Sequence, residues 1–265
     1  MPDRNKTVRL ENNDYRYLVR VRRLAVGEYF PALLPNGEET LIQVTSIEHN
    51  TLTGICGAVQ RIPGKEKGLD EDVLPPIILF QALPKADKMD LIVRQAAESG
   101  ITEIVPFVSE FSVAKTDASG QKFSRWERII KEARQQSGSK IMTAIRRPLM
   151  KEELFSYWNS IKTPVSPALL FHHSRGVEQK SLHSYLNNVT KCLSCKQIVA
   201  LVIGPEGGFS EAEVSLFLEN GFNPFTIGDT ILRTETAALY CTAAVKILLL
   251  ERDSWELSIV KNHSV

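Results

Sequence analysis

Two loops towards the C-terminal end of the chain carry the residue types best suited to hold and act on a ligand. The first reads Gly204-Pro205-Glu206-Gly207-Gly208-Phe209-Ser210. The second reads Ile227-Gly228-Asp229-Thr230-Ile231-Leu232-Arg233-Thr234-Glu235-Thr236-Ala237. Each follows an apolar run of strand type, and each opens a helical pattern. Glycine permits positive φ and lets backbone groups approach a ligand closely. Pro205 stiffens the first turn, and free N–H groups opening a helix at Ser210 can take polar ligand atoms. Arg233 is a fixed cation, and Glu206 and Glu235 are the acids beside it. Phe209 stands where a Walker A loop needs Lys, and the spacing is not that of a dinucleotide fingerprint. In open α/β sheets ligands bind beyond the carboxyl ends of the strands, so two such loops can line one pocket.

The elements that must position these loops follow from periodicity. Apolar runs at 77–83, 104–108, 168–171, 198–203 and 225–227 read as strands. Met89, Ile92, Val93, Ala96 and Ala97 recur at helical spacing, with Gly100 as the stop. Trp126, Ile129, Ile130 and Ala133 mark a second amphipathic helix, which assigns Trp126 to the core rather than to a stacking platform. Ser210 with Glu213 forms a capping box for a helix ending near Asn220-Gly221. Thr234 is expected to cap a last helix running to about Leu250. This alternation implies an α/β fold with a mostly parallel sheet covered on both sides. Residues 8–62 have a different rhythm. Asp14 is expected to cap a short helix to about Val21, with Tyr15, Leu18 and Val19 on one face. Strands at 29–34, 41–47 and 52–59 follow, with a hairpin signal at Asn36-Gly37 and a break at His49-Asn50. This suggests a compact barrel. The polar, proline-bounded stretch 63–76 reads as a linker, giving domains 1–72 and 73–265.

Composition narrows the functional classes. The 265 residues allow two domains with cores of their own. No apolar run approaches the roughly 20 residues that span a bilayer, and 1–6 lack a signal-peptide core, so a cytoplasmic address is expected. Four scattered cysteines do not resemble a disulfide framework. Cys192 and Cys195 form a C-x-x-C in a polar, Lys-flanked segment and read as chance thiols. His172-His173 has no second ligand pair at matching spacing, so no metal is expected. The net charge is only +1, but it is unevenly spread. Between 115 and 151 ten Lys/Arg face three acids, and between 1 and 25 seven face three. Such concentrations suit either a phosphate backbone or a solvated helix face.

The strings LVIGPEGGFSEAEV (201–214) and IGDTILRTETAALYCTAAV (227–245) closely resemble the ribosomal RNA small subunit methyltransferase E family. Supporting similarity lies in YLVRVRRLAVG (17–27), in QALPKADKMDLIVRQAAESGITEIVPFVSEFSVAK (81–115), and around Arg125-Trp126 and Glu132 to Ser137. The chain departs from the family's usual pattern at Ser99, Arg134, Ser139 and His173. The resemblance implies a SPOUT-type α/β domain with a C-terminal trefoil knot, preceded by a small PUA-like β-barrel domain. It implies methylation of uracil N3 in 16S ribosomal RNA with S-adenosyl-L-methionine as cofactor. A homodimer is implied as well, with RNA bridging one protomer's barrel and the other's pocket.

By the same resemblance the cofactor lies among three loops: Phe171, His172 and His173; Ile203, Gly204, Pro205, Glu206, Gly207 and Gly208; and Ile227, Gly228, Ile231, Leu232, Arg233, Thr236 and Ala237. Leu232 would pack near the adenine. Arg233 and Glu206 are the catalytic candidates, and Arg4, Arg20, Arg22, Arg23, Lys88, Arg125 and Arg134 the RNA contacts. A carboxylate at a helix N-terminus is held in its charged form and makes a poor base. Glu235 is therefore expected to support the first turn of its helix, Glu206 has the further option of ordering its loop, and the base stays open. N3 lies on the Watson–Crick edge, so the target must be unpaired or flipped. Two rivals stand beside this reading, a ribose 2′-O-methyltransferase of the same class and a noncatalytic RNA-binding assembly factor. The Leu-Arg-Thr-Glu-Thr loop favours base methylation over the first, and the intact cofactor loops argue against the second.

Overall fold

A computed structural model describes residues 7–33, 39–57, 74–112, 120–172, 181–189, 197–226 and 228–261. The chain divides into two compact units, Met1–Gly68 and Leu69–Val265.

In the first unit β1 (Thr7–Leu10) is followed by a helical turn α1 (Asn12–Tyr15), which runs into a π-helix at Arg16–Val21. Then come β2 (Tyr29–Leu33), β3 (Glu39–Glu48) and β4 (Thr51–Gly57), and the four strands pair in the order β1-β4-β3-β2. All pairs are antiparallel. Leu18, Phe30, Ile42, Val44 and Leu52 form the core of this unit, with Tyr15 and Val19 packed against it. The expected cap at Asp14 is not there. Asn12 and Asn13 already lie in the helical turn ahead of it, so Asp14 sits inside that turn instead of before it. The Asn36-Gly37 signal lies outside the described residues. The β3–β4 hairpin is closed by His49 and Asn50, which take φ of 48° and 60°. Positive φ at both central residues matches the right-handed strand twist.

The second unit begins with β5 (Ile77–Ala82), α2 (Lys88–Glu98), β6 (Glu103–Phe107), α3 (Gly120–Ser137), β7 (Ala144–Ile145) and α4 (Lys151–Ile161). It continues with β8 (Ala168–Phe171), α5 (Leu182–Val189), β9 (Val199–Ile203), α6 (Glu211–Glu219), β10 (Asn223–Phe225) and α7 (Thr234–Lys261). Six parallel strands stand in the order β10-β8-β9-β5-β6-β7. β5 shows why helices cover both faces. Its side chains alternate, as the strand period of two requires. Ile77 and Leu79 pack with Met89, Ile92, Trp126 and Val245 from α2, α3 and α7. Ile78 and Phe80 pack on the other side with Leu154, Trp158 and Phe217 from α4 and α6. With both faces buried, the central strands must be almost wholly apolar, and Gln81 is the exception within β5, fully buried.

The stripes read for α2 and α3 are the buried residues of those helices. α4, α5 and the short β7 were not anticipated. Among the described residues no helix is long and apolar enough to cross a membrane.

Candidate active site

The strands β8, β9 and β10 end side by side, and the chain leaves each into a loop. A cavity of about 330 Å³ opens over these ends, within the size range of small-molecule sites. Phe171 and His172 border it from β8, Ile203 through Phe209 from β9, Phe225 and Thr226 from β10, and Thr230, Ile231 and Leu232 from the following loop. Thr234, Ala237 and Cys241 close it from α7.

Packing fixes the glycine turn from below. Phe209 is buried in an aromatic layer, stacked parallel to Phe107 at 6.3 Å and tilted against Phe217 at 5.3 Å. Its ring folds back under Gly204, where a Cβ would stand 3.2 Å from the ring edge. A Cβ at 204 would have to displace the Phe209 ring by a few tenths of an ångström, while Gly208 is needed for its φ of +71°. The helix that follows is capped as expected. Ser210 Oγ accepts the Glu213 N–H at 3.3 Å and the Glu213 carboxylate accepts the Ser210 N–H at 3.2 Å. That same box takes the Ser210 and Glu213 N–H groups, so those two do not serve a ligand.

Two polar ties hold the turn from the sides. Thr234 Oγ1 donates to the Gly204 carbonyl at 2.6 Å and accepts from Gln81 Nε2 at 3.0 Å. Thr234 is thus the first residue of α7 and a clamp onto β9 and β5. It is not the cap, since the first helical bond runs from the Ala237 N–H to the Arg233 carbonyl. The second tie is ionic. Glu206 accepts the Lys85 N–H on both oxygens at 3.2 Å, and Lys88 Nζ lies 2.8 Å from Glu206 and 3.4 Å from Glu235. Burial pushes the Glu206 carboxyl up, but the Lys88 hydrogen bond, backbone N–H groups and the Lys88 charge outweigh it and hold it below its ordinary value. The Lys88 ammonium is raised, first by its hydrogen bond to Glu206. A carboxylate so held stays ionised and orders the loop. Burial also pushes the Cys241 thiol up to about 12, so it lines the cavity as a neutral packing group.

The structure thus gathers into one cavity Phe171, His172, Ile203, Gly204, Pro205, Glu206, Gly207, Gly208, Ile231, Leu232 and Ala237. Gly228, Arg233 and Thr236 lie beside it without lining it, and His173 and Ile227 lie outside the described residues. Lys88 is turned to the two glutamates. Arg125 forms an ion pair with Asp90, which also accepts the indole N–H of the buried Trp126 at 3.1 Å. Arg134 is partly buried, with Nε and Nη2 lacking hydrogen-bond partners. Arg20, Arg22 and Arg23 are exposed in the first unit, and Arg4 is outside the described residues. Sequence reasoning missed Phe209, Phe225, Thr226, Thr230, Thr234 and Cys241 as lining and Gln81 as a brace. A lone polar residue in the apolar run 77–83 was the signal for Gln81. Among the described residues no cluster of His, Cys, Asp and Glu could hold a metal ion.

Residues 71–246 match the family model described as an RNA methyltransferase domain. A ribosomal RNA small subunit methyltransferase E 2 of Borreliella burgdorferi is 32% identical over 89% of this chain and 88% of its own length. A ribosomal RNA small subunit methyltransferase E of Synechocystis is 30% identical over 92% of this chain and 74% of its own. The crystal structure of such an enzyme from Neisseria gonorrhoeae, bound to S-adenosyl methionine, superposes with a TM-score of 0.71. It is 23% identical, with 94% of each chain covered, and shows the shared fold. The chain belongs to the ribosomal RNA small subunit methyltransferase E family of RNA methyltransferases.

Proposed function

We propose that the protein transfers the methyl group of S-adenosyl-L-methionine to N3 of an unpaired uracil in 16S ribosomal RNA. The observation that carries this reading is the convergence of the glycine turn and the 228–233 loop on one cavity at the strand ends. The lining fits an adenosyl cofactor: Ile203, Leu232 and Ala237 offer apolar walls for an adenine, and the Gly204 to Gly208 backbone offers polar atoms at close range. When bound, the cofactor supplies a methyl group already carried on a sulfonium leaving group. The chain's own task is to orient the reactants and stabilise charge. In this reading Arg233, exposed at the head of α7 beside the cavity, stabilises the uracil anion left as N3 loses its proton. Glu206, tied to Lys85 and Lys88, orders the loop. The proton leaves to water or to a weak base.

The same reading takes residues 1–72 as a PUA-like RNA-binding barrel, supported by its antiparallel sheet and by the exposed Arg20, Arg22 and Arg23 at the end of the helix that precedes β2. It takes 73–265 as a SPOUT domain with a C-terminal trefoil knot, supported by the family resemblance and the parallel sheet of order β10-β8-β9-β5-β6-β7. A homodimer through this domain is supported by Leu239, Tyr240, Ala243 and Ile247, an exposed apolar stripe at helical spacing on α7. Transfer of labelled methyl to small-subunit RNA, followed by nucleoside analysis, tests the reaction. N3-methyluridine is expected. A 2′-O-methyl product would favour the ribose methyltransferase, and no transfer the binding-only factor.

A further inference from the structure

The segment after β6 displays an aromatic ring beside the cofactor loop on an unusually fixed base. Three side-chain interactions bolt it to the start of α6, and a fourth braces the turn from within. The buried Glu213 accepts the Glu110 N–H at 2.8 Å and the Ser109 hydroxyl at 3.3 Å. Ser210 Oγ donates to the Glu110 carboxylate at 2.6 Å, and the Ser109 N–H donates to Ser112 Oγ at 3.1 Å. The Ser112 N–H closes the turn onto the Ser109 carbonyl at 3.0 Å. Phe111 sits within this turn, 45% exposed. Its root lies flush on the glycine turn: a Cβ built on Gly207 would stand 3.0 Å from the Phe111 Cβ and 3.4 Å from its Cγ. Gly207 itself lines the cofactor cavity.

A singly exposed apolar side chain needs no explanation in itself. What sets Phe111 apart is its seat. The chain on either side of it is pinned by hydrogen bonds at Ser109, Glu110 and Ser112, its neighbour Gly207 has no side chain to push it away, and it stands beside a residue that lines the cavity. A base presenting its Watson–Crick edge to a methyl donor must leave its own stack. An exposed aromatic face replaces that stack for any base, because every base has a π-face. We propose that Phe111 is a stacking platform for an unpaired nucleobase of the RNA substrate at the mouth of the cofactor cavity. The proposal rests on the RNA-methyltransferase reading above, and it adds the residue that receives the base.

The test uses the full chain, a fluorescein-labelled single-stranded uridine-containing RNA for equilibrium binding, and small-subunit RNA for transfer. Phe111→Ala should weaken RNA binding and raise the RNA KM by roughly ten- to hundredfold. Its affinity for S-adenosylhomocysteine and its Tm should stay at wild-type values. Phe111→Leu keeps apolar bulk but no π-face and should fail like the alanine variant. Phe111→Trp should retain binding and gain a fluorescence signal that RNA quenches, read as the difference from wild type. The proposal is overturned if the leucine variant binds RNA as well as wild type, if alanine changes nothing, or if alanine weakens cofactor and RNA equally. Binding is read without turnover. A wild type that transfers no methyl but loses RNA on Phe111→Ala would sink the reaction and spare the platform.

Discussion

The two loops that meet at the cavity are built to opposite plans. The glycine turn is held from every side: Phe209 packs into the aromatic layer below, Thr234 clamps Gly204, Glu206 reaches Lys85 and Lys88, and Glu213 caps the helix beyond. The 228–233 loop presents its side chains outward. Gly228 through Ile231 and Arg233 are exposed, and Ile231 is 77% exposed although it borders the cavity. A wall fixed before the ligand arrives loses little entropy on binding. An exposed wall with a free-standing apolar side chain gains buried surface only when something fills the space. On the proposed reading the first loop sets the geometry of the cofactor, while the second adds Leu232 to the cofactor's walls and holds the exposed Arg233 towards the reacting base.

That division is broken most directly at Arg233. Arg233→Ala should lower the single-turnover rate of methyl transfer by roughly a hundredfold or more, the scale of losing one charge-stabilising group. Cofactor affinity and Tm should change little, since Arg233 is exposed. Normal turnover would remove the exposed loop from the chemistry. Thr234→Val attacks the other side of the comparison. It deletes the hydroxyl between the Gly204 carbonyl and Gln81 Nε2, leaving two polar atoms without that partner in a buried site. Such losses cost about 1–3 kcal/mol each, so thermal unfolding should register a loss of about 2–6 kcal/mol. Cofactor affinity measured by calorimetry should drop roughly tenfold, with the rate at saturating cofactor nearly kept. A variant of unchanged stability would show the turn to be held by packing alone.

How much of this could be read from the chain depends on the range of the interaction. The stripes Met89–Ala97 and Trp126–Ala133 were legible because each helix faces one core, and the capping box at Ser210 because both partners lie within one turn. The role of Thr234 was misread because its partners, Gly204 and Gln81, lie 30 and 153 residues away. A local rule sees a threonine at a helix start and assigns a cap. Lys88 was read as an RNA contact by resemblance, and its ionic tie went unread because the nearest carboxylate belongs to a loop more than a hundred residues on. α4 went unread because Leu154 and Trp158 are its only fully interior residues, too few for a periodic signal. The cavity was legible in outline because both of its loops are local motifs. Which residues line it from α7 depended on how that helix passes the strand ends.

The smallest effect separates ordering from acid–base work at Glu206. Its carboxyl lies below the ordinary 4.5 and Lys88 above the ordinary 10.5. For a depressed carboxyl, the stabilisation it contributes is complete above about pH 4.5 and is lost as pH falls through the lower folded value. For a raised ammonium, the contribution is complete below about pH 10.5 and is lost as pH rises through the higher folded value. Between those limits both groups keep their charge, so the tie should contribute the same at pH 6 as at pH 9. S-adenosylhomocysteine affinity should accordingly be flat across that window. Glu206→Gln should weaken it only a few-fold, because the amide oxygen still accepts the Lys85 N–H. It should leave the shape of the pH–rate profile for transfer unchanged. A limb of the profile that vanished with Glu206→Gln would mean the glutamate exchanges a proton during the reaction, and the fixed loop would then share the chemistry assigned to the exposed one.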